Sequence, residues 1–319
     1  MQQLPLFVTA FSFPFFRLPF PHNREKFANT FFMRYPVLKK IFCSLSALLC
    51  IFSACNAVRP DSSGSDPESS QSDYVSESKD FSSPETPPDE SETTSEEWDM
   101  SDVDISYIDG TRKLIAFTFD DAPSKTLENI LAVFAAFDEE YPELKATATV
   151  FFNGIRFENS TPHLLQTACA LGFELGNHTY AHYDLTTLSE TELQSEIEKM
   201  DKLLKKADGK ERHLLRAPFG KINDFICEHA SAPLIDWTIE TLDWTGISEE
   251  RIYNTVFENR FNGAIVLMHD GYPNTVSALK RLLPDLAADG YQIVGVSAMA
   301  KAHGCTLRRG GVYIRARKQ

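Results

Sequence analysis

The sequence predicts an α/β fold, a distorted (β/α) barrel of about seven parallel strands with helices on the outside. Three observations predict it. From residue 111 onward, short apolar runs alternate with longer stretches whose apolar residues recur at helical spacing. The short runs are near-continuously apolar, as strands buried on both faces of a parallel sheet are. Ionisable residues recur at the carboxyl ends of five separate segments, where barrels of this kind assemble their sites. Alternation alone also admits an open doubly wound sheet.

The elements follow in order. Lys113 to Asp120 reads as the first strand and 125–138 as a helix. Ala146 to Gly154 is the second strand, followed by a helix over 161–171, and Phe173 to Asn177 is a short third strand. Ser189 opens a long helix, because Glu192 stands three residues on and completes a capping box. Leu193, Ile197, Met200 and Leu204 then mark its apolar face. His213 to Ala217 is the fourth strand, with a short helix near 222–230. Pro233 to Thr241 and Gly263 to His269 are the fifth and sixth strands, with a helix over 248–260 between them. A helix over 274–289 and a last strand from Tyr291 to Val296 complete the pattern.

Charge separates this globular part from what precedes it. The chain has 319 residues and a net charge of −14. Residues 1–55 carry a net +5, residues 56–110 a net −14 and residues 111–319 a net −5. A basic nucleic-acid footprint is therefore excluded as the main theme. Composition also excludes a collagen-like, disulfide-dense or multi-pass membrane protein.

Residues 33–55 carry a lipoprotein-type signal pattern: Met33, then Arg34, Lys39 and Lys40, then the apolar run from Ile41 to Ala54, then Cys55. The run falls short of the roughly 20 residues that a spanning helix needs. Phe52-Ser-Ala-Cys55 resembles a bacterial lipobox, with Phe52 where Leu is usual, and makes Cys55 a candidate for lipidation. The other reading is an ordinary signal peptide with an incidental cysteine. Residues 1–32, rich in Phe and Pro, read as an upstream extension from a mis-assigned start, or else as a long leader. Residues 56–110 are dominated by Ser, Asp, Glu, Pro and Thr, with too few apolar residues to offset the entropy of ordering, so a disordered linker is expected. It serves as a spacer or as a solvated tail. Of the six cysteines, Cys169, Cys227 and Cys305 fall in the globular part; they permit at most one internal disulfide, and no pairing is predicted.

The candidate site residues stand at the strand ends. His178 and His182 lie one turn apart if that segment is helical, a spacing that can clamp one metal. With a carboxylate from Asp121 the set offers two nitrogens and one oxygen, and three protein ligands with an open position suit a catalytic zinc. The adjacent Asp120 can then serve as a base, because a metal lowers the pKa of water bound to it. Asp120 and Asp121 can equally be a turn or a helix cap. His269 is either a satisfied core histidine or a general acid. Arg216, followed by Pro218 and Phe219, is either a salt-bridge partner beside a structural turn or part of the site. Pro218 has no N–H, so Phe219 carries the next backbone donor available to an oxyanion.

These motifs together resemble one family, the NodB-homology polysaccharide deacetylases, which form the fourth family of carbohydrate esterases. The likeness spans 113–300. It rests on Thr118-Phe-Asp-Asp-Ala-Pro123, Ala148-Thr-Val-Phe-Phe-Asn-Gly154, Gly176-Asn-His-Thr-Tyr-Ala-His182, Arg216-Ala-Pro-Phe-Gly220, Thr241-Leu-Asp-Trp244 and Leu267-Met-His-Asp270, in the family's order. The resemblance implies that Asp121, His178 and His182 hold a divalent metal, usually zinc. It implies a base at Asp120 oriented by Arg216, an acid at His269, and a catalytic network that includes Asp243. Pro218, Phe219, Trp244 and Leu267 would contact substrate, with Trp244 walling the sugar groove. Three residues depart from the family's usual pattern: Ala122 for Gly, Phe219 for Tyr, and Glu240 for the first Asp of the fourth motif. The last bears on the network around Arg216 and His269.

The function expected on this resemblance is metal-dependent removal of N-acetyl groups from a polysaccharide containing N-acetylglucosamine, either peptidoglycan or chitooligosaccharide. Two alternatives stand beside it, an O-acetyl xylan esterase and a catalytically silent glycan-binding lipoprotein. The expected partners are the polysaccharide and, through a lipid on Cys55, a membrane; no nucleic acid is expected. The expected location is extracytoplasmic and membrane-anchored in a bacterium, or secreted if Cys55 carries no lipid.

Overall fold

The computed structural model describes residues 96–157 and 161–316. The readings of residues 1–55, lipidation of Cys55 included, and of the linker up to residue 95 lie outside the described residues. No helix among the described residues is long and apolar enough to cross a membrane.

The strands are β1 (Lys113–Ala122), β2 (Thr149–Phe152), β3 (Glu174–Asn177), β4 (Leu234–Ile235), β5 (Ile239–Glu240), β6 (Ala264–His269), β7 (Tyr291–Val294) and β8 (Val312–Tyr313). The helices are α1 (Leu127–Glu140), α2 (Thr161–Ala170), α3 (Glu190–Asp208), α4 (Asp224–His229), α5 (Glu249–Asn259), α6 (Pro273–Ala288) and α7 (Val296–Ala302). The main sheet is parallel, with strands in the order β3-β2-β1-β6-β5. β7 pairs with Lys113–Ala116, the first part of β1, and β2 pairs with the last part. Two parallel bridges through Leu215 carry the pairing from Asn177, at the end of β3, to Leu234 in β4. One stretch of chain, 234–240, thus pairs at its start beyond β3 and at its end with β6. This is the distortion of the predicted architecture.

Burial explains the choice of strands. β2 and β7 are buried along their whole length, and β1 is buried from Leu114 to Asp120. Phe134 of α1 meets Phe119 of β1 edge-on at 6.2 Å and Phe173 at 4.9 Å, which seats the helix on the sheet. α3 begins with the expected capping box: Ser189 and Glu192 each hold the other's backbone N–H. α5 and α6 pack on each other, and α6 also covers α1 and β7.

Several expectations are corrected. Residues 96–110 were expected to belong to the disordered linker; instead Trp98, Met100, Val103, Ile105, Tyr107 and Ile108 pack against the buried cluster that includes Val294 and Met299. The N–H of Trp98 donates to the Leu307 carbonyl, and the Lys301 ammonium donates to the carbonyls of Met100 and Val103. Acidic residues between these apolar ones mask the pattern in the sequence. The expected strand over 213–217 shrinks to Leu215, and the fifth strand divides into β4 and β5 around Asp236–Thr238. The last strand stops at Val294; Gly295 is the N-cap of α7, whose buried Val296, Ala298, Met299 and Ala300 look like a continuing strand in the sequence. Cys169, Cys227 and Cys305 are all free thiols.

Candidate active site

The carboxyl ends of β1, β3 and β6 meet at one place. Asp120 and Asp121 are part of β1 itself, which runs one residue beyond them, to Ala122. The pairing of β1 with β2 slips between Phe119 and Ala122, and Asp121 adopts a left-handed φ of 64°. That irregularity turns two adjacent carboxylates to different tasks. On its other edge β1 keeps register with β6, where Asp120 stands directly opposite His269.

Asp120 is 4% exposed. Its Oδ1 accepts from Arg216 Nη1 at 2.8 Å, and its Oδ2 lies 3.7 Å from His178 Nε2. Arg216 is itself buried, donating also to Thr118 Oγ1 at 2.6 Å and to the carbonyls of Ile235 and Asp236, with its guanidinium 4.3 Å from the Phe151 ring centre. Burial opposes charge on Asp120, but Arg216, His178 and His269 outweigh it and hold the carboxyl below its ordinary pKa.

His178, at the end of β3, places Nδ1 2.9 Å from the Arg216 carbonyl. A carbonyl only accepts, so Nδ1 carries the proton and Nε2 presents its lone pair. His182 Nε2 lies 3.4 Å from Asp121 Oδ1. The donor atoms of Asp121, His178 and His182 all fall within 4.8 Å of one another. Asp121 Oδ1 is buried with no hydrogen-bond partner. His182 is pushed below its ordinary pKa by burial and by His178, which favours the neutral form a ligand needs. One orphaned carboxylate oxygen and two imidazole nitrogens fit a divalent cation.

The two imidazoles do not converge by a helical turn, as the spacing suggested. Thr179 and His182 both have positive φ, at 67° and 57°, so the segment is a tight loop. It is held from below. Asn177 Oδ1 accepts the Thr179 N–H at 2.8 Å, Thr179 Oγ1 accepts the His182 N–H at 3.1 Å, and Glu196 Oε2 accepts the Ala181 N–H at 2.6 Å. Sequence reasoning missed Asn177 and Glu196. The signal for Glu196 is its place on the buried face of α3, between Leu193 and Met200, where a carboxylate needs a partner.

His269 donates from Nδ1 to Asp243 Oδ1 at 2.8 Å, while Asp243 Oδ2 accepts the His269 N–H at 2.8 Å and the Thr275 hydroxyl at 2.6 Å. Burial lowers the His269 pKa, but Asp243 and the nearby Asp120 carboxylate outweigh it and raise the group above its ordinary value. Glu240 is exposed and takes no part in these bonds; the Arg216 and His269 pairs form without it.

The remaining candidates are spread around this centre. Phe219 is 64% exposed at a φ of 62°, with its ring 4.7 Å from that of His182. Trp244 is 48% exposed. Pro218 is buried, and Leu267 is buried within β6, where its carbonyl accepts the Thr241 hydroxyl. Positive φ values at Asp121, Thr179, His182, Phe219 and Leu242 put all the described left-handed non-glycine residues in these segments, as strained backbone at functional sites does.

A parallel α/β sheet with this donor set beside a separately held carboxylate and imidazole defines a metal-dependent hydrolase. The family model described as polysaccharide deacetylase matches residues 108–232. A peptidoglycan-N-acetylglucosamine deacetylase of Bacillus cereus is 34% identical over 203 residues, 61% of this chain and 91% of that protein. A bifunctional xylanase/deacetylase of Pseudobutyrivibrio xylanivorans is 30% identical over 196 residues, 60% of this chain but only 31% of that protein. The solved structure of peptidoglycan deacetylase PdaC from Bacillus subtilis matches with a TM-score of 0.56 and 30% identity, over 61% of this chain and 93% of that one. The chain belongs to the polysaccharide deacetylase family, the NodB-homology carbohydrate esterases.

Proposed function

We propose that the protein hydrolyses the acetamide of N-acetylglucosamine in a cell-wall or chitin-like polysaccharide, releasing acetate and leaving a free amine. The observation that carries this is the facing pair Asp120 and His269, neighbours across the β1–β6 ladder whose pKa values their own partners move in opposite directions. Two titratable groups pushed apart in this way supply a base and an acid at one pH.

Asp121, His178 and His182 would hold the cation, zinc or another divalent metal. Once bound, it supplies Lewis acidity to the acetyl carbonyl and to water. The chain's own residues do the rest. Asp120, kept ionised by Arg216, takes a proton from the attacking water. The backbone N–H of Phe219 donates to the carbonyl oxygen as negative charge grows there. His269, kept protonated by Asp243, gives its proton to the leaving nitrogen as the C–N bond breaks. The base gains one proton and the acid loses one, so exchange with solvent resets both. Phe219 and Trp244 offer exposed aromatic faces to sugar rings.

The same site can cleave an acetyl ester, and the likeness to a xylanase/deacetylase favours that as the second reading. A silent glycan-binding role is disfavoured by the intact Asp120 and His269 pairs. Acetate release should be measured from chitooligosaccharide, peptidoglycan and acetylated xylan. Release from the first two is expected. Release from xylan alone overturns the amide reading, and binding without release from any of the three establishes the silent one.

The setting is part of the same reading. Cys55 carries a lipid, and the acidic linker holds the catalytic unit away from the membrane and near wall glycan. Cys55→Ser should move the protein from the membrane fraction to the medium; unchanged membrane association would refute the anchor.

A further inference from the structure

A guanidinium stands where the metal chemistry alone has no use for one. Arg156 lies on the short turn Gly154–Arg156 after β2, and its Nη2 is 3.4 Å from Asp121 Oδ2. The turn is fixed against the histidine loop: the N–H groups of Gly154 and Ile155 donate to the carbonyls of Thr179 and Tyr180 at 3.2 and 2.7 Å. Only glycine fits at 154, since a Cβ would come 2.3 Å from the Tyr180 ring. Arg156 is therefore aimed by the same loop that presents His178 and His182. A positive charge so close to three metal donors works against holding a cation. Its side chain is 44% exposed, and Asp121 engages one end of a planar fork with five donors.

Arg156 also lines a cleft of about 530 Å³ beside Asp121, together with Ser124, Lys125, Glu128 and Thr161. Among the described residues that line it, the cations are Arg156 and Lys125 and the carboxylate is Glu128. The Ser124 hydroxyl and backbone N–H are already committed to Asp270, which leaves Arg156 and Lys125 as its charged donors. Planar bidentate donors of this kind recognise carboxylates.

We infer that this cleft is a subsite for a carboxylate carried by the glycan, on the sugar that is deacetylated or on its neighbour, read by Arg156 with help from Lys125. The inference rests on the polysaccharide reading above and narrows it to acidic glycans. In peptidoglycan the carboxylate has two sources, the lactyl group of muramic acid where no peptide is attached and the peptide stem where one is.

The test measures glycan binding in the zinc-loaded Asp120→Asn protein, where turnover does not consume the ligand. The ligands are chitotetraose, a muramic-acid glycan stripped of peptide, and the same glycan with its peptide. Acidic glycan is expected to bind more tightly than chitotetraose at low salt, with the preference shrinking as salt rises. Adding Arg156→Ala should cut that preference about tenfold, the scale of one charge-assisted hydrogen bond. Arg156→Lys should restore part of it, and Lys125→Ala should reduce it severalfold. Preference for the stripped glycan assigns the lactyl group, and preference only for the peptide-bearing glycan assigns the stem. A preference that Arg156→Ala leaves intact, or no preference at all, overturns the inference. So does a tenfold loss of zinc affinity in Arg156→Ala without glycan, which would make the residue a support for Asp121. Failure of the deacetylase reading shows separately, as no acetate release by the wild-type protein from any of the three glycans.

Discussion

At the residue scale, the account turns on how a carboxyl and an imidazole that face each other are moved further apart in acidity by their own partners. Asp120 is buried against an arginine that is itself buried, and His269 is half-buried against an aspartate with no exposure at all. Asp120→Asn keeps the shape and the hydrogen bond from Arg216 but cannot take a proton. It should lower kcat by roughly 10²–10⁴, the usual yield of a general base, while one equivalent of zinc still binds in a calorimetric titration. Full activity in that variant would remove Asp120 from the reaction. These residues were legible in the sequence because their chemistry is confined to a few residue types, and strand ends bring those types together. Asn177, Glu196 and Arg156 were not. Each contacts a segment, the end of β1 or the histidine loop, whose left-handed residues are Asp121, Thr179 and His182 rather than glycines, so nothing local announces what must be held.

At the scale of elements, α3 is the support of the metal loop. Glu196 reaches from its buried face to the Ala181 N–H, and the Asn177 amide donates to the Ile197 carbonyl and to Asp201. Glu196→Ala should weaken zinc binding about tenfold in a chelator competition, by leaving a half-buried N–H unpaired and the histidine loop less firmly held. Glu196→Gln keeps an acceptor and should recover most of the loss; equal binding in all three proteins would contradict the role. α3 also sets a pH dependence. His213 is buried between Asp201 and Asp208 of this helix, at 2.9 and 3.1 Å. Burial lowers its pKa, but the two carboxylates outweigh it and raise the folded value above the ordinary 6.5. The stabilisation is complete below the unfolded pKa and is lost as pH rises through the higher folded one. The Tm advantage of wild type over His213→Asn should therefore be largest near pH 6 and shrink as pH rises; an advantage that grows with pH would contradict this. Long elements such as α3 and β1 showed their period in the sequence. β4, β5 and β8 are two residues each, too short for any period, and α7 shares an apolar run with β7.

At the scale of the whole molecule, the parallel alternation was legible and the starting edge of the folded unit was not. Residues 96–110 read as linker by composition, yet Trp98 packs on the core under the Arg212 guanidinium, 5.5 Å from its ring centre. Trp98→Ala should cost about 2 kcal/mol in urea unfolding, less than a fully buried tryptophan because the ring is only partly covered. No change would return this segment to the linker.

The most direct measurement is acetate release from an N-acetylglucosamine oligomer by the full chain, followed before chelation, after it, and after returning one equivalent of zinc. The account predicts that release stops on chelation and resumes at one equivalent, with one free amine formed for each acetate. Release that continues undiminished in protein shown to be metal-free would contradict a reaction centred on Asp121, His178 and His182.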